Sequence, residues 1–146
     1  MSTWSYCLWL FRQAADGLRF LWPITAALVG MLAVAVIRAR QRPSTRIRGG
    51  WSLQLAPLVV PIAILAVGAA YACEQCSPSS LGQGVRHVWP GYFVDALLFA
   101  HVIAVVWLIR LANGWRFVSS SLQAIGLWCT FWASFLAGMS ISGDWL

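Results

Sequence analysis

The chain has 146 residues, of which 60% are hydrophobic and only 10% are charged. A soluble domain of this size needs a larger polar surface, so the composition predicts an integral membrane protein. The net charge of +6 comes from arginines that cluster between apolar segments. They form no aromatic-interleaved basic patch, so no nucleic-acid partner is expected.

The first segment, 4–16, combines an apolar helical face with charged residues. That face is formed by Trp4, Leu8, Phe11 and Ala15. The polar side chains of Arg12, Gln13 and Asp16 are turned away from it. This pattern predicts an interfacial helix that lies along the outer surface of the membrane before the first span.

Four apolar segments follow, each long enough to cross a bilayer core, which takes roughly 20 helical residues. They are 18–37, 53–72, 92–111 and 119–141. The sequence therefore predicts an all-α integral membrane protein with four transmembrane helices in a bundle. Residues 1–146 form a single membrane domain, since no linker or second domain is visible.

The distribution of arginines predicts the orientation of the chain. Between the first two spans lies a basic loop formed by Arg38, Arg40, Arg42, Arg46 and Arg48. Two more arginines, Arg110 and Arg116, flank the turn between the last two spans, on the same side. The opposite side carries Arg12, Arg19, Arg86 and all four acids. Because basic residues in short loops stay in the cytoplasm, both termini are expected outside a bacterial inner membrane.

Two prolines interrupt the second span. Pro57 lies in its first turn, where a missing N–H costs little, whereas Pro61 lies deeper. The sequence therefore predicts a bend near Pro61.

The second span ends in the motif "CEQC", formed by residues 73–76. On the outer side of a bacterial membrane the pair Cys73 and Cys76 is expected to be oxidised to a local disulfide, and a redox pair is the alternative. Glu74 and His87 give no defensible zinc spacing, so no metal site is expected.

The motif at a membrane edge and the number of spans resemble the disulfide-forming quinone reductases and the vitamin K epoxide reductase group. That resemblance implies exchange of electrons between Cys73, Cys76 and a membrane quinone. Those enzymes also carry a second, loop-borne cysteine pair, whereas this chain has only Cys7 and Cys129 besides the motif.

Two polar residues of the third span are candidate functional groups. His101 lies near its centre, where an imidazole needs a partner. A hydrogen bond to Thr130, Ser134 or a backbone carbonyl is one interpretation, and a haem or quinone ligand is the other. Asp95 lies near the outer start of the span, where the helix dipole stabilises a carboxylate. A proton or cation site is the alternative for Asp95.

The fourth span has small residues at every fourth position. They are Gly126, Thr130, Ser134, Gly138 and Ser142. In lipid, close backbone approach through small residues supplies helix attraction, so this ridge predicts a packing face. Its expected partner is Ala26 and Gly30 of the first span, or the same face in another subunit.

These features favour a non-catalytic component of a membrane assembly, either a homo-oligomer or an accessory subunit. One alternative is a thiol oxidoreductase coupled to a membrane quinone through Cys73 and Cys76. A further alternative is a channel, a carrier, or a haem- or quinone-binding subunit that uses His101 and Asp95. The expected partners are the lipid bilayer and other membrane subunits or a second copy. The sequence assigns no cofactor.

Overall fold

In the computed structural model, residues 3–40, 50–72, 88–112 and 115–142 are described, and this part of the chain contains helices and no strand. One short 3-10 turn lies at Ala56–Leu58. The α-helices are α1 (Thr3–Phe20), α2 (Trp22–Arg40), α3 (Gly50–Leu55), α4 (Val59–Ala70), α5 (Trp89–Leu111) and α6 (Arg116–Ser142).

Four helical stretches are long and apolar enough to cross a membrane. They are Trp22–Ala39, Ser52–Ala70, Trp89–Leu111 and Arg116–Ser142. Large apolar side chains also cover the outside of the molecule, such as Phe99 at 71% exposure and Ile103 at 69%. The predicted all-helical class and the predicted number of apolar helices are therefore confirmed.

Helix α6 is the central element, because α1, α2, α4 and α5 all pack against it. The residue pairs in contact give the helix directions. Gln54 of α3 bonds Ser119 near the start of α6, and the Gly68 carbonyl of α4 bonds Ser140 near its end. The α3–α4 segment therefore runs parallel to α6. Helix α5 runs antiparallel to both, since its Leu108 carbonyl bonds Gln54.

One face of α6 is buried along almost its whole length. Its residues are separated alternately by four and three positions: Ser119, Gln123, Gly126, Thr130, Ala133, Ala137 and Ser140. This spacing averages 3.5 residues, close to the 3.6 residues of a helical turn, so the face stays on one side. Most of its side chains are small, and they let neighbouring helices approach closely.

The predicted ridge of five small residues, spaced four apart, does not follow this buried face. Gly126 and Thr130 are buried, Ser134 and Ser142 are half-buried, and Gly138 is exposed. Four residues turn a helix by about 40° more than one full turn, so the ridge rotates away from the core toward the C-terminal end of α6. Gly30 of the expected partner helix is also exposed, and no atom lies within 4 Å of where its Cβ would be.

The second span is divided by the 3-10 turn at Ala56–Leu58. Pro61 has no N–H to give to the carbonyl four residues earlier, which belongs to Pro57. The regular helix is therefore interrupted just before Pro61, where the sequence predicted a bend.

Helix α1 packs against α4 and α6 through its Leu10 and Ala14 side. The Tyr6 hydroxyl lies 3.0 Å from the Ser140 hydroxyl, and the Trp132 indole packs directly over Gly17. Other apolar residues of α1 point outward, with Trp4 71% and Leu8 54% exposed. The side of α1 that packs on α4 and α6 is thus distinct from the apolar face of Trp4 and Leu8, which the sequence pattern predicts to face the membrane.

Helices α1 and α2 form one nearly continuous rod. The amide of Leu21 bonds the Gly17 carbonyl, and the Thr25 amide bonds the Leu21 carbonyl. Pro23 interrupts the ladder at this junction. Within α2, Ala35 is the buried side chain among the described residues, so this helix leaves most of its surface uncovered. Arg38 is exposed at its end, whereas Arg42, Arg46 and Arg48 lie outside the described residues.

Substitution of Gly68 by alanine should destabilise the α4–α6 pair. A Cβ at Gly68 would lie 2.7 Å from the Ala137 Cα, so the helices must separate. Overpacking of this kind costs about 1–3 kcal/mol. Reversible unfolding in mixed micelles, followed by circular dichroism, measures the change. The matched control is Gly30→Ala, which meets no atom within 4 Å and should leave stability unchanged or slightly raised.

Candidate functional site

The candidate site is centred on His101, whose side chain is 1% exposed. Helix α5 directs the imidazole toward α6, where Nδ1 lies 2.8 Å from the Thr130 hydroxyl oxygen. Of the three hydrogen-bond partners predicted for His101, the structure shows Thr130. Gly126, one turn earlier, lies against the ring, since a Cβ there would be 3.6 Å from Nε2, an ordinary contact distance.

The hydrogen bonds of Thr130 favour one tautomer of the imidazole. Its hydroxyl donates to the Gly126 carbonyl over 2.8 Å, which uses its only hydrogen. The hydroxyl oxygen therefore accepts from His101, and Nδ1 carries the proton. The other nitrogen, Nε2, is then an acceptor, and it is buried with no partner among the described residues.

A cavity of about 310 Å³ borders the other side of His101. It lies between the 3-10 turn and α5, with Pro57, Val60, Ala104 and Trp107 in its wall. The wall is apolar apart from the imidazole and the Trp107 indole. The geometry thus combines an apolar space with a neutral imidazole that has one unfilled acceptor.

A second buried polar cluster joins α3, α5 and α6. Ser119 donates to the Gln54 Oε1 over 2.8 Å, and the Gln123 amide donates to the Gln54 carbonyl over 2.9 Å. The Gln54 amide in turn contacts the Leu108 carbonyl at 3.4 Å. Gln54 and Gln123 are almost fully buried, so the cluster fixes the register of three helices.

The glutamine cluster was not predicted from the sequence. The sequence does contain a short repeat that points to this cluster. Ser-Leu-Gln occurs twice, within 52–58 and 121–127, and each time a leucine lies four positions after the glutamine. The two segments lie in parallel helices at the same end of the molecule. Two glutamines in apolar helices at matching positions indicate mutual hydrogen bonding.

The structure places Asp95 away from His101. The two residues are six positions apart on α5, which turns them to different sides of the helix. Asp95 is exposed, whereas His101 faces α6. A joint site formed by both side chains is therefore absent from this arrangement.

Of the four cysteines, Cys7 and Cys129 are half-buried free thiols. Cys73 and Cys76 lie outside the described residues, as do Glu74 and His87. The disulfide and the redox pair therefore both stay predictions. Comparison of the chain with models of known families, with curated proteins and with solved structures finds no match.

Removal of the Thr130 hydroxyl should alter the imidazole of His101. In Thr130→Val, Nδ1–H loses its acceptor, at a cost of about 0.6–1.7 kcal/mol for a hydrogen bond between membrane helices. Nitrogen-15 NMR of histidine-labelled protein should show a protonated Nδ1 in the wild type and a shifted resonance in the variant. Ser134→Ala is the control, because the buried Ser134 hydroxyl has no partner in the described part of the chain. An unchanged Nδ1 resonance in Thr130→Val would contradict the assignment.

Proposed function

We propose that the four apolar helices cross a bacterial inner membrane with both termini outside, and that the chain is a non-catalytic component of a membrane assembly. Its partner in the assembly is a second copy of the same chain. The excess of arginines in the loop after α2 supports the orientation. The alternating directions of α4, α5 and α6 support successive crossings.

The orientation is tested with single engineered cysteines in a variant whose native cysteines are serine. Ser44→Cys, in the basic loop, should be protected from an impermeant thiol reagent in intact cells. Ser80→Cys, after the second span, should be labelled. The reverse pattern would overturn the orientation.

The position of α1 is the observation that best supports the proposed assembly. Tyr6 contacts Ser140, and Gly17 contacts Trp132, so α1 descends along α6 rather than crossing its end. The eight residues from Ser140 back to Trp132 correspond to roughly 12 Å. If α6 spans the membrane, α1 enters the outer leaflet instead of lying flat on its surface, where the sequence pattern favoured it.

This position brings charges to the depth of the lipid. Arg12, Asp16 and Arg19 are all exposed on α1. An arginine or aspartate that faces lipid costs about 2.5–3.5 kcal/mol at the centre of a membrane helix and less toward the surface, where Arg12 lies. A partner that pairs with these groups removes much of this cost, so the charged side of α1 is a contact surface.

A complementary charge lies at a similar depth elsewhere on the same chain. Asp95 is six residues from Trp89 at the outer end of α5, and Arg12 is six residues from Tyr6, so both lie roughly 9 Å inward. Helices α1 and α5 flank the α4–α6 pair and share at most marginal contact in the described residues. The proposed contact therefore pairs Arg12 of one copy with Asp95 of the next.

A charge exchange tests this pairing. Arg12→Asp and Asp95→Arg should each dissociate the homo-oligomer, because like charges then meet at the contact. The double variant Arg12→Asp with Asp95→Arg should restore it. Light scattering coupled to size exclusion in mild detergent gives the mass of each species, and each single variant should weaken association by more than about tenfold.

The control is Arg110→Asp, which changes an exposed arginine at the opposite end of α5. It should remain assembled. Pairing between copies would be contradicted if chemical cross-linking in membranes gave only monomers of the wild-type protein. It would also be contradicted if the double variant stayed dissociated.

A further inference from the structure

The cavity beside His101 arises from two local features of the sequence. Pro57 and the 3-10 turn displace the backbone at the start of α4. On α5, Ala100 and Ala104 are one turn apart and fill little space. The cavity opens at the side of the bundle, since its lining residues Ala100 and Trp107 are exposed.

The volume of the cavity suits a ring-shaped molecule. An apolar cavity of about 150 Å³ holds benzene, and this one is about 310 Å³, which leaves room for substituents on the ring. Aliphatic side chains and the Trp107 indole form most of its wall. Such a wall favours an apolar ligand that enters sideways from the lipid.

The unfilled acceptor of His101 adds a chemical preference. The Nε2 atom is buried and faces Gly126 of α6, where an added Cβ would lie 3.6 Å from Nε2 and 3.3 Å from the Leu58 Cδ2. His101 belongs to the cavity wall, but Nε2 itself is buried, so neighbouring side chains must move before a ligand in the cavity can reach it. Leu58, which directly follows Pro57 of the wall, is one of these neighbours. A buried acceptor without a partner stabilises a ligand that donates a hydrogen bond.

We propose that this cavity binds a lipid-soluble phenol or quinol ring, whose hydroxyl group donates its hydrogen to Nε2 of His101. Val60 and Trp107 contact the ring, and the apolar tail of the ligand extends into the lipid. This site is independent of the contact between copies, since its lining residues do not include Arg12 or Asp95. No covalent or redox step is involved.

Two ligands that differ only in the donor test the proposal: 4-decylphenol and its methyl ether, 4-decylanisole. The full chain in lipid nanodiscs carries nitrogen-15 histidine, and it contains only two histidines. The phenol should shift the Nε2 resonance of His101 saturably and bind about fivefold more tightly than the ether, the ratio that about 1 kcal/mol gives. Equal affinities, or no shift of Nε2, would overturn the proposal and indicate filling by lipid chains alone.

Variants distinguish the contribution of the cavity to ligand binding from that of the His101 acceptor. Ala104→Leu should abolish binding of both ligands, because it fills the cavity without removing a hydrogen bond. Ala96→Leu, exposed on the same helix and outside the cavity, should bind as the wild type does. His101→Phe should bind both ligands equally. Retention of phenol binding in Ala104→Leu, or of the preference in His101→Phe, would contradict the proposal.

Discussion

The close approach of α4 to α6 is the contact on which the other helices depend. It is possible because Gly68 faces Ala137, and a single added methyl would overlap the Ala137 backbone. The Ser140 hydroxyl closes the contact by donating to the Gly68 carbonyl over 2.8 Å. In lipid, packing and hydrogen bonds of this kind replace the hydrophobic drive between helices. Helices α1 and α5 then fit against the two sides of this pair.

Much of this fold could be predicted from the sequence, because length and hydropathy alone identify helices able to cross a bilayer. The packing face could not, since small residues occur on several sides of α6. Counting every fourth residue selected Gly138, which is exposed, and omitted Ala133 and Ala137, which are buried. Only the positions of neighbouring helices decide between these faces.

The candidate site was predicted in part. An imidazole within an apolar span had to have a partner, and Thr130 was among those offered. The cavity could not be predicted, because it depends on how the turn at Pro57 faces Ala100 and Ala104 on another helix. The glutamine cluster carried a signal in the repeated Ser-Leu-Gln, but its meaning required knowledge that α3 and α6 run parallel. The position of α1 alongside α6 likewise follows from tertiary contacts such as Tyr6 with Ser140.

The descent of α1 along α6 is the central claim, since the exposed charges need a partner only if they lie within the lipid. Leu8 and Ala15 are exposed, lie on one side of α1 and are seven residues apart. Spin labels at Leu8→Cys and Ala15→Cys in proteoliposomes report depth through their relative accessibility to oxygen and to a water-soluble nickel complex. A descending helix places Ala15 roughly 10 Å deeper than Leu8. Equal depths would mean that α1 lies flat on the surface, and would contradict the account.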